Sequence, residues 1–354
     1  MEFIDVIRFE RKDGNTDFNW IESHINEIVD LNDIIIKKRV LYIVELDELG
    51  QSDRVNAYLK EAIFQYHKSE LLPFEGQVAA LIVRSESELY TKSFAKKFMF
   101  HLNQLGCEFI GHPLVERVID GKNFRTWSKA TGEPIEVVEK EQILKLISRL
   151  GSYETIRRSK IKLLVLHAGH KDTSNTLMYW ERIKEKLNHD LIQIDELHVE
   201  EGKISDCYGC SFETCMYYAK EKACFYGGFV VEDLYPKIEQ ADIVLWICPN
   251  YNDAISAKLM AVINRLTALY RSMNFYDKYL LSIVVSGNSG NDSVAMQLLG
   301  ALCINKGFRL PSQFAAMAIA NEPGDILCVE DLNERVERYV NSVHKLTNNF
   351  MTKK

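Results

Sequence analysis

Apolar and polar positions alternate along this chain in two kinds of block. Short unbroken apolar runs occur at Phe3–Phe9, Val40–Val44, Val78–Val83, Leu163–Leu166, Ile243–Cys248, Leu280–Val285 and Phe314–Ile319. Each has the length of a buried strand. Leu191–Ile194 reads as a further short strand, and Glu108–Val115 as an edge strand. Between the runs, apolar residues recur at helical spacing. A first helix passes through Trp20, Ile21, Ile25 and Ile28, and others span 52–67, 135–150, 231–240, 256–271, 293–306 and 329–350. One more ends near Gly106, and one carries Leu177, Trp180, Ile183 and Leu187. Strands alternating with helices predict parallel sheets covered on both faces, the doubly wound α/β class.

Residues 151–158 read as a linker, giving expected domains at 1–155 and 156–354. The two halves resemble each other. Shifted by 160 positions, Asn15, Thr16 and Trp20 fall on Asn175, Thr176 and Trp180. Shifted by 204, the segment from Val40 to Tyr66 lies without a gap on Val244 to Tyr270, and Gly106 meets Gly307 at a shift of 201. Three blocks in one order point to a tandem duplication. The change of offset places the extra length of the second copy around its cysteine-rich segment.

Composition narrows the partners. A net charge of −7 argues against a nucleic-acid or anionic-membrane partner, since both select a basic face. No signal peptide is readable in MEFIDVIRFERK and no apolar run has the length of a bilayer span, so a cytoplasmic location is expected. Eight cysteines in that setting read as reduced thiols.

In a doubly wound sheet, ligands sit beyond the carboxyl ends of the strands. For the second copy this gathers three loops. Gly169, His170, Lys171, Ser174, Asn175 and Thr176 lie between an apolar run and a helix, where free N–H groups and a positive dipole end suit a phosphate. Pro249, Asn250, Tyr251, Asn252 and Ala254 offer amides and one ring for a planar heterocycle. Ser286, Gly287, Asn288, Ser289 and Gly290 let backbone approach closely. One phosphate site and two polar loops suit a mononucleotide such as FMN better than a dinucleotide.

These three motifs, AGHKDTSNT at 168–176, CPNYNDAISAKLMAVINR at 248–265 and VSGNSG at 285–290, resemble those of the flavodoxin-like NAD(P)H-dependent FMN reductase family. Within it, the iron–sulfur-flavoprotein-like branch is the nearest in pattern. The resemblance implies two tandem flavodoxin-like, five-stranded sheets, the second with strand order 2-1-3-4-5. It implies FMN held at the phosphate by Ser174, Asn175 and Thr176, with Pro249 to Ile255 and Ser286 to Gly290 around the ribityl chain and ring. NAD(P)H would be the co-substrate, and the electron acceptor a quinone, a flavin or a redox protein. No acid–base residue is implied, because the transfer belongs to the cofactor. A flavin-dependent sensor or a cofactor-free assembly protein is the alternative reading.

The first copy keeps Gly14, Asn15 and Thr16, but Arg8 and Phe9 stand where the small pair of the second phosphate loop stands. Glu10, Glu45, Asp47, Glu48, Glu86 and Glu88 lie across its three loops, which predicts repulsion of a phosphate and no FMN. Family members commonly dimerise near the flavin, so the first copy is expected to act as a built-in partner subunit, in a monomer with an internal pseudo-dimer or in a homodimer. Cys207, Cys210, Cys215 and Cys224 are spaced C-x2-C-x4-C-x8-C, a density that suits zinc, an iron–sulfur cluster, or structural or redox-active thiols. The interleaved aromatics Tyr208, Phe212, Tyr217, Tyr218, Phe225 and Tyr226 are expected to cap the flavin pocket. Trp246, Cys107, Cys303 and Cys328 read as packing residues, and His167 and His170 as hydrogen-bonding residues bordering the phosphate loop.

Overall fold

Long apolar runs dictate the architecture, because a strand apolar on both faces is stable only with helices on each side. The computed structural model describes residues 4–10, 27–29, 38–154, 158–170, 172–199 and 204–351. The first anion loop and helix of the repeat, including Asn15, Thr16 and Trp20, lie outside the described residues, as does Lys171. The chain forms two compact units, Met1–Glu154 and Thr155–Lys354.

In the first unit, β1 (Asp5–Phe9), β2 (Glu27–Val29), β3 (Arg39–Leu46), β4 (Val78–Ser85) and β5 (Glu108–Arg117) form one sheet in the order β2-β1-β3-β4-β5. All its pairings are parallel. Every residue of β3 is buried. One face packs on α4 (Ile135–Gly151) through Val138, Ile143, Leu146, Ile147 and Leu150. The other face is aromatic: Phe9, Tyr42, Tyr58 and Phe98 stack or meet edge-on with centroids 5.3–6.2 Å apart. The helices on this unit also include α1 (Asp53–Ser69), α2 (Thr91–Gln104) and the short α3 (Arg125–Thr131). Ser52 starts α1, its Oγ accepting from the Val55 amide. β5 is the edge strand, and its pairing with β4 slips between Ala79 and Leu81, near Pro113.

The second unit contains β6 (Ile161–His167), α5 (Asn175–Lys184), β7 (Ile192–His198), α6 (Phe212–Ala219), α7 (Tyr235–Gln240), β8 (Ile243–Pro249), α8 (Ala257–Ser272), β9 (Tyr279–Ser286), α9 (Asn291–Leu298), β10 (Ala315–Ile319) and α10 (Leu332–Met351). Its sheet runs β7-β6-β8-β9-β10, all parallel, which is 2-1-3-4-5 in the unit's own count. The first unit has the same order in its own count. Trp246 is fully buried in β8, as a core residue should be. Helix α7 is preceded by a wider turn at Val230–Leu234, and α9 continues into another at Leu299–Ile304.

The repeat survives in three dimensions. β3 and α1 map onto β8 and α8 at the gapless shift of 204, and Gly106 and Gly307 both end their helices with positive φ, 108° and 89°. The register of β1 corrects one detail. Arg8 sits opposite Ile43, and His167 sits opposite Ile247, the repeat partner of Ile43. Arg8 therefore corresponds to His167, and Phe9 is a fully buried core residue of a strand, not a block in a loop. No helix among the described residues is long and apolar enough to cross a membrane.

Candidate functional site

The switch in strand order falls between β6 and β8, so the loops after β6, β8 and β9 converge there. The first loop turns tightly into α5. Ser174 caps the helix, its Oγ accepting from the Leu177 amide at 3.3 Å. A Cβ on Gly169 would stand 3.0 Å from that Oγ, so glycine permits the turn to close. Among the described residues, the amides of Asn175 and Thr176 have no backbone acceptor, and they lie at the positive end of a ten-residue helix. His170 is exposed and its carbonyl accepts from the Ser174 amide at 3.1 Å.

Asn175 differs from the expected phosphate-holding side chain. Its Nδ2 donates to the carbonyls of Ala320 (3.3 Å) and Glu322 (2.8 Å). Its Oδ1 accepts from the amides of Gly324 (2.9 Å) and Ile326 (3.4 Å). The amide group is thus spent on clasping the loop after β10, which leaves Asn175 only its backbone N–H for a ligand. That fourth loop was missed from sequence, although its composition, NEPGD after an apolar run, carried a turn signal. Thr176 is buried.

The second loop is a two-residue hairpin turn. Tyr251 and Ala254 exchange backbone bonds across Asn252 and Asp253, whose φ values are 53° and 55°. Tyr251 projects with its side chain exposed. Asn250 joins this loop to the third: its Nδ2 reaches Ser286 Oγ and the Ser289 carbonyl at 3.0 Å and Asp253 Oδ1 at 3.1 Å. Pro249 closes β8, and Gln297 donates to the Asp253 carbonyl at 2.7 Å. In the third loop, a Cβ on Gly287 would lie 2.6 Å from Asn321 Oδ1. One on Gly290, at φ 83°, would lie 2.0 Å from Asp253 Oδ1. Asn288 and Ser289 are exposed beside them. Helix-end amides without acceptors, glycine-floored loops and a projecting ring fit a mononucleotide whose phosphate meets α5. Asp253, Gln297 and Asn321, which brace these loops, were not singled out from sequence.

His167 ends β6 just below the phosphate loop and stacks on His198 at 4.7 Å.

The cysteine segment follows β7 and forms α6, capped by Ser211. Cys207 is exposed, and Cys210, Cys215 and Cys224 are half-buried and free. Among the described residues no group of three or more His, Cys, Asp or Glu forms a metal-holding set. The aromatic residues do not cap the loops above. They pack on one another, and the segment leans on the later turns of α8, where Asn264 meets Asp206 and Arg271 lies over Phe212. Those turns lie about 10–20 Å down the helix from its start beside Tyr251. Cys107 and Cys303 are buried as expected, whereas Cys328 is exposed.

In the first unit the six acids do not present a free anionic front. Glu10 pairs with Arg8 and Glu88 with Lys122. Asp47 accepts two amides of its own turn, from Leu49 (2.9 Å) and Gln51 (2.7 Å). Glu45 is buried, and Glu86 is exposed. At the same edge, Glu139 from α4 is buried between Arg84 (2.8 Å) and Arg117.

Residues 161–322 match the family model of NADPH-dependent FMN reductase, and this part of the chain belongs to that family of flavin-dependent oxidoreductases. No curated protein matches the chain. Solved structures similar to it include RosB with a bound 8-demethyl-8-formylriboflavin-5'-phosphate intermediate, at 18% identity and a TM-score of 0.44, covering 54% of this chain and 80% of that one. An NAD(P)H:quinone oxidoreductase from Methanothermobacter marburgensis is 15% identical with a TM-score of 0.40, covering 52% and 98%. An azoreductase from Bacillus anthracis str. Sterne is 14% identical with a TM-score of 0.40, covering 54% and 100%.

Proposed function

We propose that the FMN reductase domain of the second unit passes reducing equivalents from NADPH or NADH to a small acceptor such as a quinone or a free flavin. FMN would sit over the carboxyl ends of β6, β8 and β9, and the first unit would carry none. The observation that carries this reading is the start of α5, where the amides of Asn175 and Thr176 lack acceptors above a turn that glycine at position 169 allows. When bound, FMN supplies the two-electron chemistry. The chain's own residues bind and orient. Helix α5 and Ser174 would meet the phosphate, the loop held by Asn250 would set the height of the ring, and Tyr251 would lie against a ring face.

The test is a visible spectrum of the purified protein under argon, followed by titration with each nicotinamide nucleotide and then with a quinone. Flavin absorbance that one nucleotide bleaches and the quinone restores is the expected result. Colourless protein that takes up no FMN would overturn the cofactor assignment. Bound FMN that neither nucleotide bleaches would replace the enzyme with a sensor or one-electron carrier.

A further inference from the structure

The cysteine segment has a geometry of its own. Tyr208, beside Cys207, stacks on Tyr226, two residues after Cys224, with centroids 4.5 Å apart. Tyr218, on the helix that carries Cys215, meets Phe225 at 5.4 Å. These contacts fold the segment back on itself, and four free thiols come together on it. Two cations stand beside them. Arg271 donates to the Phe212 carbonyl at 3.2 Å and lies 4.5 Å from the centre of the Phe212 ring. Lys306 is buried, donates to Thr267 Oγ1 at 3.0 Å and lies 5.4 Å from the Tyr270 ring centre.

Among the described residues neither cation has a carboxylate partner. A buried ammonium without an anion is costly, and burial followed by Arg271 lowers the pKa of Lys306. The groups that act the other way on Lys306 are the thiols of Cys207 and Cys215. Burial raises the Cys215 thiol first of all, and Arg271 opposes that rise. An exposed thiol and a half-buried one therefore share two cations that nothing else neutralises.

This place is separate from the flavin loops. Arg309, three residues after Lys306, bridges to Tyr279 at the start of β9, whereas the flavin loops follow its last residue, Ser286. The length of β9 puts on the order of 20 Å between the two levels.

We infer that Cys207 and Cys215 form a thiol–disulfide exchange site for low-molecular-weight disulfides, with Arg271 and Lys306 as its counter-charges. The Cys207 sulfur attacks one sulfur of the incoming disulfide, and the other leaves as a thiolate that takes up a proton. The Cys215 sulfur then gives up its proton and displaces the second thiol from Cys207. Two protein thiols and one small disulfide become one protein disulfide and two small thiols, so electrons and protons balance. This site does not depend on the flavin reading.

The test equilibrates the full-length protein with oxidised glutathione, without nicotinamide nucleotide, then blocks free thiols and maps the products by mass spectrometry. Cys328, exposed on the same unit but outside the cluster, is the internal control. The expected products are a Cys207–Cys215 bridge and a simple glutathione adduct at Cys328. Alkylation of Cys207 by iodoacetamide at neutral pH should run about tenfold faster than that of Cys328, and Arg271→Gln should remove most of the difference. Cys215→Ser should trap glutathione on Cys207, which keeps the idea testable if a charge variant misfolds. Equal alkylation rates, adducts without a bridge, a bridge to Cys210 instead, or iron or zinc bound by these sulfurs in the purified protein would each overturn it.

Discussion

In the first unit, Gly50 on the loop after β3 lies beneath the side chain of Tyr90, with the Tyr90 Cβ 2.3 Å from where a Gly50 Cβ would stand. In the second, Gly290 lies beneath Asp253, whose Oδ1 would be 2.0 Å from a Gly290 Cβ. Tyr90 and Gly290 hold the same position, the residue before α2 and before α9, and share a left-handed backbone at φ 78° and 83°. The contact between the two loops is thus kept while its glycine changes sides. Where the glycine is on the helix, the facing residues are short and polar, and Asn250 can fan across to Ser286 and Ser289. Where it is on the other loop, a ring covers the junction. A tyrosine at positive φ is strained, so the packing of this ring outweighs a backbone cost of about 1–2 kcal/mol. The first unit loses a flavin site chiefly by being filled, with charge in a secondary part, since most of its acids have partners.

The strongest way to break this comparison is to move the ring. Gly290→Tyr should reduce FMN affinity at least about a hundredfold, because it adds a side chain at a strained φ against Asp253. Flavin retained per mole of folded protein measures it, and undiminished retention would refute the role given to this contact. Asn250→Ala should weaken FMN binding roughly thirtyfold, about 2 kcal/mol, by untying three hydrogen bonds between the loops. Fluorescence titration reads that change. In the first unit, Tyr90→Gly should be more stable than Tyr90→Ala by about 1 kcal/mol, since both lose the ring but only glycine is at ease at this φ. Paired urea melts decide it, and neither variant should acquire flavin.

The smallest effect concerns the closing helix of the second unit. His344 Nε2 accepts the Asn188 amide at 3.1 Å, and burial lowers its pKa from 6.5. A depressed pKa means that the unfolded chain takes the proton first. The associated stability is present above 6.5 and is lost as pH falls from there through the folded value. His344→Gln should flatten that part of the pH dependence of Tm.

The sheets were legible because buried strands write themselves as apolar runs, and the gapless shift of 204 held because β3 and β8 share one burial pattern. The three loops of the second unit were legible for a related reason: small polar residues between a strand and a helix have few structural uses. What sequence could not show were partners. Nothing in the order of residues says that Asn175 spends its side chain on residues 320–326, that Glu10 meets Arg8, or that Glu88 meets Lys122. Likewise Tyr90 reads as an ordinary tyrosine, since a left-handed backbone under a bulky residue comes from tertiary packing. The cysteine spacing suggested metal ligands or thiols, and only the fold set Arg271 and Lys306 beside them.

The clasp made by Asn175 has a practical consequence. The family match ends at residue 322, yet two of the four bonds to that side chain come from Gly324 and Ile326. An expression fragment trimmed to the limits of the match would leave a buried carbonyl oxygen without its donors at the mouth of the anion loop. The boundary of homology and the boundary of a working module differ here by at least four residues, and the shorter cut would damage a site 147 positions upstream of it.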